Sequence, residues 1–231
     1  MADPDARSRL PIAPEGIPFL VGGTALAAGA TGLLSGWGGL PAVFPLSVGA
    51  GAIGFMAYFF RDPAPRDDVP PELVLAPAQG RVSDITDVDH PHMGGGCRRI
   101  GIFLSIFDVH VQRAPLSGLV EDRSYRKGRF LAAWAPKASA DNEQCELRLR
   151  AEESPVVVRQ IAGLVARRIV TDPMVGDRVA RGGRIGLIRF GSRVELLVPL
   201  DWTVLCSAGD RVRVGRTPLA RRTASKTKAQ E

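Results

Sequence analysis

Gly191 and Ser192 are the adjacent residues in this chain whose types best suit a reaction. They lie between an apolar run at residues 185–190 and an alternating run that places Val194, Leu196 and Val198 on one face of a predicted strand. The simplest interpretation is a tight turn or a bulge, because glycine adopts backbone angles that other residues avoid. The pair alone therefore does not require any chemistry.

The second interpretation is a reaction between the two residues. The Ser192 hydroxyl can attack the Gly191 carbonyl if the backbone is strained and a base removes the hydroxyl proton. Glycine suits this role because no side chain shields its carbonyl. The resulting ester can eliminate across the Cα and Cβ atoms of Ser192 to leave dehydroalanine, which hydrolyses to a pyruvoyl group and ammonia. One chain would then become two, and the second would begin with a ketone.

His110 is the candidate proton carrier. It lies in a strand-like motif, DVHV at residues 108–111, and imidazole exchanges protons near neutral pH. Asp108, two residues earlier, faces the same side if the strand is regular, so it can orient or charge His110. The alternatives are a structural histidine bonded to backbone and an aspartate in a plain turn.

The formal net charge of +6 falls entirely on the part of the chain after residue 61, since residues 1–61 hold three basic and three acidic residues. Such a basic domain suits an anionic membrane surface or a phosphate-bearing substrate. Nucleic acid is disfavoured because the chain lacks the known binding signatures and has few aromatic residues. The three cysteines, Cys97, Cys145 and Cys206, predict neither a disulfide framework nor a zinc site and indicate a reducing compartment.

Two uncharged apolar stretches, residues 17–37 and 40–60, are each about long enough to cross a bilayer. Glycines in the first stretch favour close helix packing in lipid, and the short link between the stretches predicts a helical hairpin. Arg7 and Arg9 flank one end, and Arg61 and Arg66 flank the other, which places both termini in the cytoplasm. A cleaved signal peptide and a hairpin that only enters the interface are the alternatives.

The rest of the chain predicts a mainly β domain of sandwich or barrel type, because short strand-like runs alternate with glycine-containing turns. Residues 143–150 show the alternation of a half-exposed strand, with Cys145, Leu147 and Leu149 on its apolar face. The predicted organisation is a hydrophobic hairpin at residues 1–61, a linker at 62–72, the β-rich domain at 73–215 and a solvated basic tail at 216–231.

Six segments now support a resemblance that a single Gly-Ser pair could not. In chain order they are FRDP at residues 60–63, PAQGRV at 77–82, FLSIFDVHVQRAPLSG at 103–118, KASADNEQ at 137–144, QIAGLVARRIV at 160–170 and GRIGLIRFGSRVELLVP at 183–199. Together these motifs resemble the short form of the phosphatidylserine decarboxylase family, over roughly residues 60–199 and the hydrophobic anchor.

The resemblance implies a zymogen that cuts itself between Gly191 and Ser192. Its products would be a β chain of residues 1–191 and an α chain of residues 192–231, held together as a heterodimer. The α chain would begin with a covalent pyruvoyl cofactor made from Ser192, which forms a Schiff base with phosphatidylserine. Loss of CO2 then yields phosphatidylethanolamine at the cytoplasmic face of the cell membrane. His110 matches the family histidine associated with decarboxylation.

Two positions depart from the family pattern. Gln79 stands where the family usually has an acidic residue, and Arg113 stands where long forms of the enzyme have a second histidine. A carboxylate–histidine–serine triad for self-cleavage therefore does not carry over intact. Asp84 and Asp108 are the candidate substitutes, and His110 acting with backbone strain is the other possibility.

The remaining candidates are weaker. Arg167 and Arg168 suit a lipid phosphate, although a solvated strand edge explains them equally well. His90 and His92 are interpreted as part of a mobile loop able to cover the substrate, and no metal site is predicted. The alternative functions are a silent homologue that binds anionic lipid, a decarboxylase of a related lipid such as archaetidylserine, and a serine hydrolase.

Overall fold

The computed structural model describes residues 11–36, 43–129, 131, 138–152, 154–164, 168–189 and 191–223. The chain divides into two compact units. One comprises Arg7–Pro63, and the other comprises Ala64–Glu231 together with Met1–Ala6.

The first unit is a pair of apolar helices, α1 (Ile17–Gly36) and α2 (Val43–Phe59). They approach closely at Gly49, where an added Cβ atom would lie 2.5 Å from Cβ of Ala27. Glycine therefore allows close helix packing, as small residues do between membrane helices, but the closest contact uses a glycine of α2 rather than of α1. The backbone of Ala13 donates to the Phe60 carbonyl at 2.7 Å, which joins the two ends of the hairpin.

Only α1, among the described helices, is both long and apolar enough to cross a membrane. The second helix has 17 residues, fewer than the roughly 20 that a bilayer core requires. Residues 37–42 lie outside the described residues, so the predicted start of the second stretch at residue 40 stays a prediction.

The second unit is mainly β, which confirms the predicted fold class. All strand pairs are antiparallel, and the largest sheet is a curled half-barrel. The described strands are β1 (Leu73–Leu75), β2 (Gly80–His90), β3 (Gly95–Leu104), β4 (Val111–Arg113), β5 (Gly118–Arg126), β6 (Gln144–Ala151), β7 (Ser154–Ala162), β8 (Ile169–Thr171), β9 (Arg178–Val179), β10 (Arg184–Ile188), β11 (Ser192–Pro199), β12 (Thr203–Val204), β13 (Arg211–Val212) and β14 (Pro218–Arg221).

These strands form three sheets. The eight-stranded sheet has the order β13-β2-β3-β11-β7-β6-β5-β9, and two three-stranded sheets have the orders β4-β10-β8 and β1-β14-β12. A short helix, α3 (Ala138–Asp141), precedes β6. Strand β11 therefore lies in the middle of the largest sheet, between β3 and β7.

The main core lies against one face of the eight-stranded sheet, because alternate residues of each strand point to that face. On β11 these are Val194, Leu196 and Val198, all fully buried, as the alternation predicted. On β6 they are Leu147 and Leu149, with Cys145 also buried.

The predicted linker and tail differ from the structure. Residues 64–72 contain no helix, as predicted, but they are tied to the β unit: Arg66 N donates to the Gly215 carbonyl at 2.9 Å, and the Arg181 guanidinium donates to the carbonyls of Val69 and Pro70. The solvated tail cannot begin at residue 216, because β14 pairs with β1 and β12 and buries Leu219. Among the described residues of the tail, 216–223, the buried apolar side chains are Leu219 and Ala220. Two such residues are too few to reveal a strand in the sequence. Residues 224–231 of the predicted tail lie outside the described residues.

Candidate active site

Gly191 lies where the chain passes from one sheet to another. Strand β10 ends at Ile188 in a three-stranded sheet, and β11 begins at Ser192 in the eight-stranded sheet. The pair is therefore a corner between sheets rather than a hairpin turn. Gly191 has a φ of +61°, in the left-handed region that glycine enters at little cost. An added Cβ atom on Gly191 would meet no described atom within 4 Å, so the glycine has open space on that side.

Ser192 is fully buried in the middle of the sheet. It pairs with Leu104 of β3 on one side and with Ala162 of β7 on the other. Its hydroxyl makes no hydrogen bond to any residue that the structure describes, and Phe190 is not among those residues. A buried hydroxyl without a partner costs roughly 1–3 kcal/mol, so a structural serine would ordinarily be hydrogen-bonded here. The sequence prediction of a reactive serine fits this environment.

His110 is also fully buried, in the extended segment immediately before β4. Its Nδ1 lies 2.9 Å from the backbone carbonyl of Asp108. Because a carbonyl only accepts, we assign the ring proton of neutral His110 to Nδ1, which leaves the lone pair on Nε2. This tautomer makes Nε2 the nitrogen that can accept a proton.

The topology brings His110 and Ser192 to the same corner of the fold. The His110 carbonyl accepts a hydrogen bond from Ile188 N at 3.3 Å, four residues before Ser192. From the other side, Leu104 pairs with Ser192 and is followed six residues later by His110. Two separate chain segments therefore place the His110 backbone within a few residues of Ser192.

Asp108 differs from its predicted geometry. It lies in a turn rather than in a regular strand, so the argument that it shares a face with His110 does not apply. Its carboxylate accepts from the backbone N–H and the hydroxyl of Ser105, at 2.9 and 2.7 Å, and its Oδ1 lies 4.0 Å from Arg211. The carboxylate closes the turn, while the Asp108 carbonyl contacts the imidazole.

A buried chain of polar side chains near His110 was not predicted from the sequence. Thr171 donates to Gln160 at 2.8 Å, Gln160 donates to Gln112 at 2.9 Å, and Gln112 donates to the His110 carbonyl at 2.7 Å. These hydrogen bonds link β8, β7 and β4 and end at the backbone carbonyl of His110. The available signal was a glutamine, Gln160, on the otherwise apolar inward face of β7, which also carries Val156, Val158 and Ala162.

The motif at residues 137–144 contacts β7 and β11, the two strands that pair at Ser192. Asn142 is fully buried and donates from Nδ2 to the Ala162 carbonyl at 2.8 Å, beside Ser192. Ser139 donates to Glu195 of β11 at 2.7 Å. Lys137 lies outside the described residues.

The opposite face of β11 carries a cluster of charges directly after Ser192. Glu195 is fully buried and accepts from Arg159 and Arg193, each at 2.9 Å. Arg193 also donates to Asp84 at 2.7 Å. Burial alone would raise the pKa of Asp84, but hydrogen bonds from Arg193 and Ser83 and the nearby arginine charges outweigh it and lower that pKa. Asp84 thus helps to anchor β11 through its ion pair with Arg193, on the face of β11 opposite the main core.

Replacing Asp84 with Asn is expected to lower the free energy of unfolding by about 1–3 kcal/mol at pH 7, because it leaves a charged hydrogen bond of buried Arg193 unmatched. The pKa of Asp84 is lower in the folded state, so its contribution is present above the unfolded pKa of about 3.9 and is lost as pH falls through the folded value. Urea unfolding at pH 7 and pH 3, on an uncut Ser192→Ala chain, measures both effects.

The matched control for this stability experiment is Asp87→Asn, which removes an exposed pair with Arg98. Little change is expected there, because exposed ion pairs contribute little to stability. Equal losses for the two variants would contradict an anchoring role for Asp84.

The two departures from the family pattern have different surroundings. Gln79 is half-buried in the loop before β2. Arg113 is almost fully buried, and its guanidinium donates to the Gly182 carbonyl at 2.7 Å, in the turn that leads into β10. Arg113 therefore fastens β4 to the turn before β10.

The remaining predicted residues lie in various places. Arg167 lies outside the described residues, and Arg168 is exposed, with its carbonyl accepting from Arg189 N at 3.4 Å. His90 precedes a tight turn between β2 and β3, and His92 lies within it, at the Pro199 end of β11. Seven residues of strand, about 23 Å, separate that end from Ser192, and a role of this turn in covering the substrate stays a prediction.

Comparisons of the amino-acid sequence with known proteins match this chain to one family. The family model described as phosphatidylserine decarboxylase matches residues 53–220. A phosphatidylserine decarboxylase proenzyme of Symbiobacterium thermophilum is 45% identical over 215 residues, covering 91% of this chain and 95% of the relative. A proenzyme of the same name from Salinibacter ruber is 46% identical over 180 residues, covering 76% and 79%. Another from Saccharopolyspora erythraea is 44% identical over 221 residues, covering 91% and 88%.

Proposed function

The chain belongs to the phosphatidylserine decarboxylase family, and on that premise we propose that Ser192 supplies its reactive group. The protein is a carboxy-lyase that removes CO2 from phosphatidylserine. The observation that carries the proposal is the buried Ser192 hydroxyl, which has no hydrogen-bond partner among the described residues and follows a glycine with open space beside it. The relatives' description as proenzymes supports processing of this chain as well.

Self-cleavage begins with the Ser192 hydroxyl. Its oxygen attacks the Gly191 carbonyl carbon while His110 Nε2 takes the hydroxyl proton. The bond from the Gly191 carbonyl carbon to the Ser192 nitrogen then breaks as His110 returns the proton to that nitrogen, which leaves an ester and a free amine. Removal of the Ser192 Cα proton then breaks the Cβ–O bond and releases Gly191 as a carboxylate. Tautomerisation of the remaining dehydroalanine and addition of water release ammonia and leave a pyruvoyl group.

The residues at this corner fit a pyruvoyl group. Such a group is no larger than the serine that forms it, and Ser192 already lies in a buried strand position beside the open space at Gly191. When present, the group supplies a ketone that binds the substrate amine and draws in the electrons released with CO2. The chain itself excludes water through the strands beside Ser192, and His110 holds a proton for delivery to the decarboxylated carbon.

Cleavage would divide the chain into a β chain of residues 1–191 and an α chain of residues 192–231. The α chain would stay bound because β11 pairs with β3 and β7, and β14 pairs with β1. Each of these three pairings joins a strand of one fragment to a strand of the other. The ion pairs of Arg193 and Glu195 with Asp84 and Arg159 also join the two fragments. A heterodimer is the expected mature form.

The apolar helix α1 makes the protein a candidate for membrane association. We assign it to the cytoplasmic face of the cell membrane, since basic residues flank both ends of the hairpin in the sequence. The lipid substrate requires contact with a membrane surface in any case. The charged groups of the site, including Arg168, are suited to an anionic phospholipid.

The test of this function is the state of the purified protein. Intact mass analysis after a denaturing gel is expected to show fragments 1–191 and 192–231, the smaller without an amino-terminal amine. Borohydride should add two hydrogen atoms to the smaller fragment and stop the formation of phosphatidylethanolamine. A single intact chain that binds anionic vesicles but releases no CO2 would instead identify a silent homologue.

A further inference from the structure

One end of the eight-stranded sheet carries Ser192 at its centre. Here β11 begins at Ser192, β3 ends at its partner Leu104, and β7 ends at its other partner Ala162. We call this the Ser192 end. The segments that leave β3 and β7 at this end lie on the two sides of the candidate active site.

Both of these segments expose bulky apolar side chains. Two and three residues after Leu104 come Ile106 and Phe107, which are 44% and 61% exposed. Two residues after Ala162 comes Leu164, which is 58% exposed. Turn and loop positions ordinarily hold small or polar residues, so three large apolar side chains on both sides of one site indicate an interaction surface.

Basic residues lie at equal distances on either side of Arg193, the residue that follows Ser192 at the middle of this end. The strand register places Arg211, Arg81, Phe103, Arg193, Ile161, Gln144 and Arg126 in one row across the sheet. The two outer arginines, Arg211 and Arg126, each stand three strands from Arg193, which is about 14 Å. Arg81 is exposed next to Arg211, and Lys127 and Arg129 are exposed beyond Arg126.

The acidic residues described near this end offset only part of that charge. Asp108 is buried in its turn, and Asp210 accepts from Ser207 N at 2.8 Å. Asp141 and Glu143 are half-buried beside the loop that contains Lys127. The exposed groups around the apolar centre are therefore mainly basic.

The opposite end of the sheet provides an internal comparison. It also exposes apolar side chains, with Leu200 at 44% and Val175 at 58%. Its turns and strand ends, however, carry the exposed acidic residues Asp89, Glu152, Asp177 and Asp201 beside the exposed basic residues Arg150 and Arg178. The opposite end therefore mixes both signs of charge, whereas the exposed charges at the Ser192 end are mainly basic.

We propose that the Ser192 end docks on an anionic bilayer, with Ile106, Phe107 and Leu164 entering the headgroup region and the outer basic residues meeting lipid phosphates. Apolar side chains surrounded by basic residues are the combination that binds such a surface. The proposal rests on the proposed function, because a lipid substrate must bring its headgroup to Ser192. Docking by this end lets the acyl chains stay in the bilayer, where their burial is favourable.

The depth of single probes tests the orientation without using the reaction. The full-length Ser192→Ala chain, with Cys206→Ala, receives one cysteine by Ile106→Cys or Leu164→Cys and an NBD label. Leu200→Cys and Val175→Cys are the matched controls, since their exposed fractions equal those of Ile106 and Leu164. The same chain without an added cysteine gives the background from Cys97 and Cys145, which are buried.

In phosphatidylcholine vesicles containing phosphatidylglycerol, doxyl lipids are expected to quench the probes at 106 and 164 at least about threefold more than those at 175 and 200. Vesicles of phosphatidylcholine alone, or high salt, should reduce the difference because the basic residues then contribute less. Equal quenching at both ends, or greater quenching at 175 and 200, would overturn the proposal.

Turnover of the otherwise unaltered protein gives a second readout. Ile106→Ser and Leu164→Ser are expected to lower decarboxylation of phosphatidylserine in bilayers roughly tenfold, while Leu200→Ser and Val175→Ser leave it unchanged. Activity on monomeric dihexanoyl phosphatidylserine, and self-cleavage, should stay normal in all four variants. An equal loss on both substrates would overturn docking as the role of these residues. Failure of self-cleavage in the unaltered protein would refute the proposed function and leave the probe experiment interpretable.

Discussion

Replacing Ser192 with Ala is expected to leave the chain in one piece and to lower CO2 release by roughly 10⁴-fold or more. Alanine has no hydroxyl to attack the Gly191 carbonyl, and without cleavage the chain gains no ketone. The loss should therefore appear in both self-cleavage and turnover. A denaturing gel with intact mass analysis measures the first, and formation of phosphatidylethanolamine measures the second.

The fold should survive this substitution. The Ser192 hydroxyl makes no hydrogen bond within the described part of the chain, so its removal takes away a buried polar group rather than a contact. The uncut variant is expected to be as stable as the uncut precursor or more stable, by about 1 kcal/mol. Thermal melting monitored by circular dichroism checks this.

Ser207→Ala is the matched control, because it removes another serine hydroxyl from the same predicted α chain. Ser207 is exposed in a turn, where its backbone N–H donates to Asp210. This variant should cut itself and turn over normally. A Ser192→Ala protein that still releases CO2 at the rate of the unaltered enzyme would refute the role given to Ser192.

Replacing His110 is expected to slow both self-cleavage and decarboxylation, by roughly 10²–10⁴-fold, the usual contribution of a positioned acid or base. The reason is the fixed tautomer: the Asp108 carbonyl holds the proton on Nδ1 and leaves Nε2 to exchange protons. Two substitutions separate this role from a structural one. His110→Ala removes the ring, whereas His110→Asn keeps an N–H able to donate to the Asp108 carbonyl.

If His110 acts as a proton carrier, both variants lose activity, and His110→Asn keeps the melting temperature of the unaltered protein. Turnover should be expressed per cleaved chain, so that slow maturation is not counted as slow decarboxylation. His92→Ala is the matched control, since His92 is half-exposed and lies at the other end of the sheet. Full activity of His110→Asn would show that the histidine only supports the backbone.

Arg113 stands where long forms of the family have a second histidine, so the proposed self-cleavage must use another base. The Arg113 guanidinium is fastened to the Gly182 carbonyl, so this position stabilises the entry to β10. Gln79 cannot carry charge, and the Asp84 carboxylate is engaged by Arg193 on the outer face of the sheet. His110 is thus the described titratable side chain best placed to act as the base.

The sequence alone was enough to predict the fold class, the apolar helices and the family. These predictions depend on local patterns, such as the alternation along residues 143–150 and the motifs around His110 and Ser192. The solvated tail from residue 216 was wrong because β14 is too short to show such a pattern.

Only the tertiary structure decided how these parts meet. Strand β11 pairs with β3, which lies some ninety residues earlier in the chain, and that register sets Leu104 and Ala162 beside Ser192. The same register brings the exposed apolar residues that follow β3 and β7 together at the Ser192 end. Strand order and register arise from packing between segments that are distant in sequence, so no local pattern could contain them.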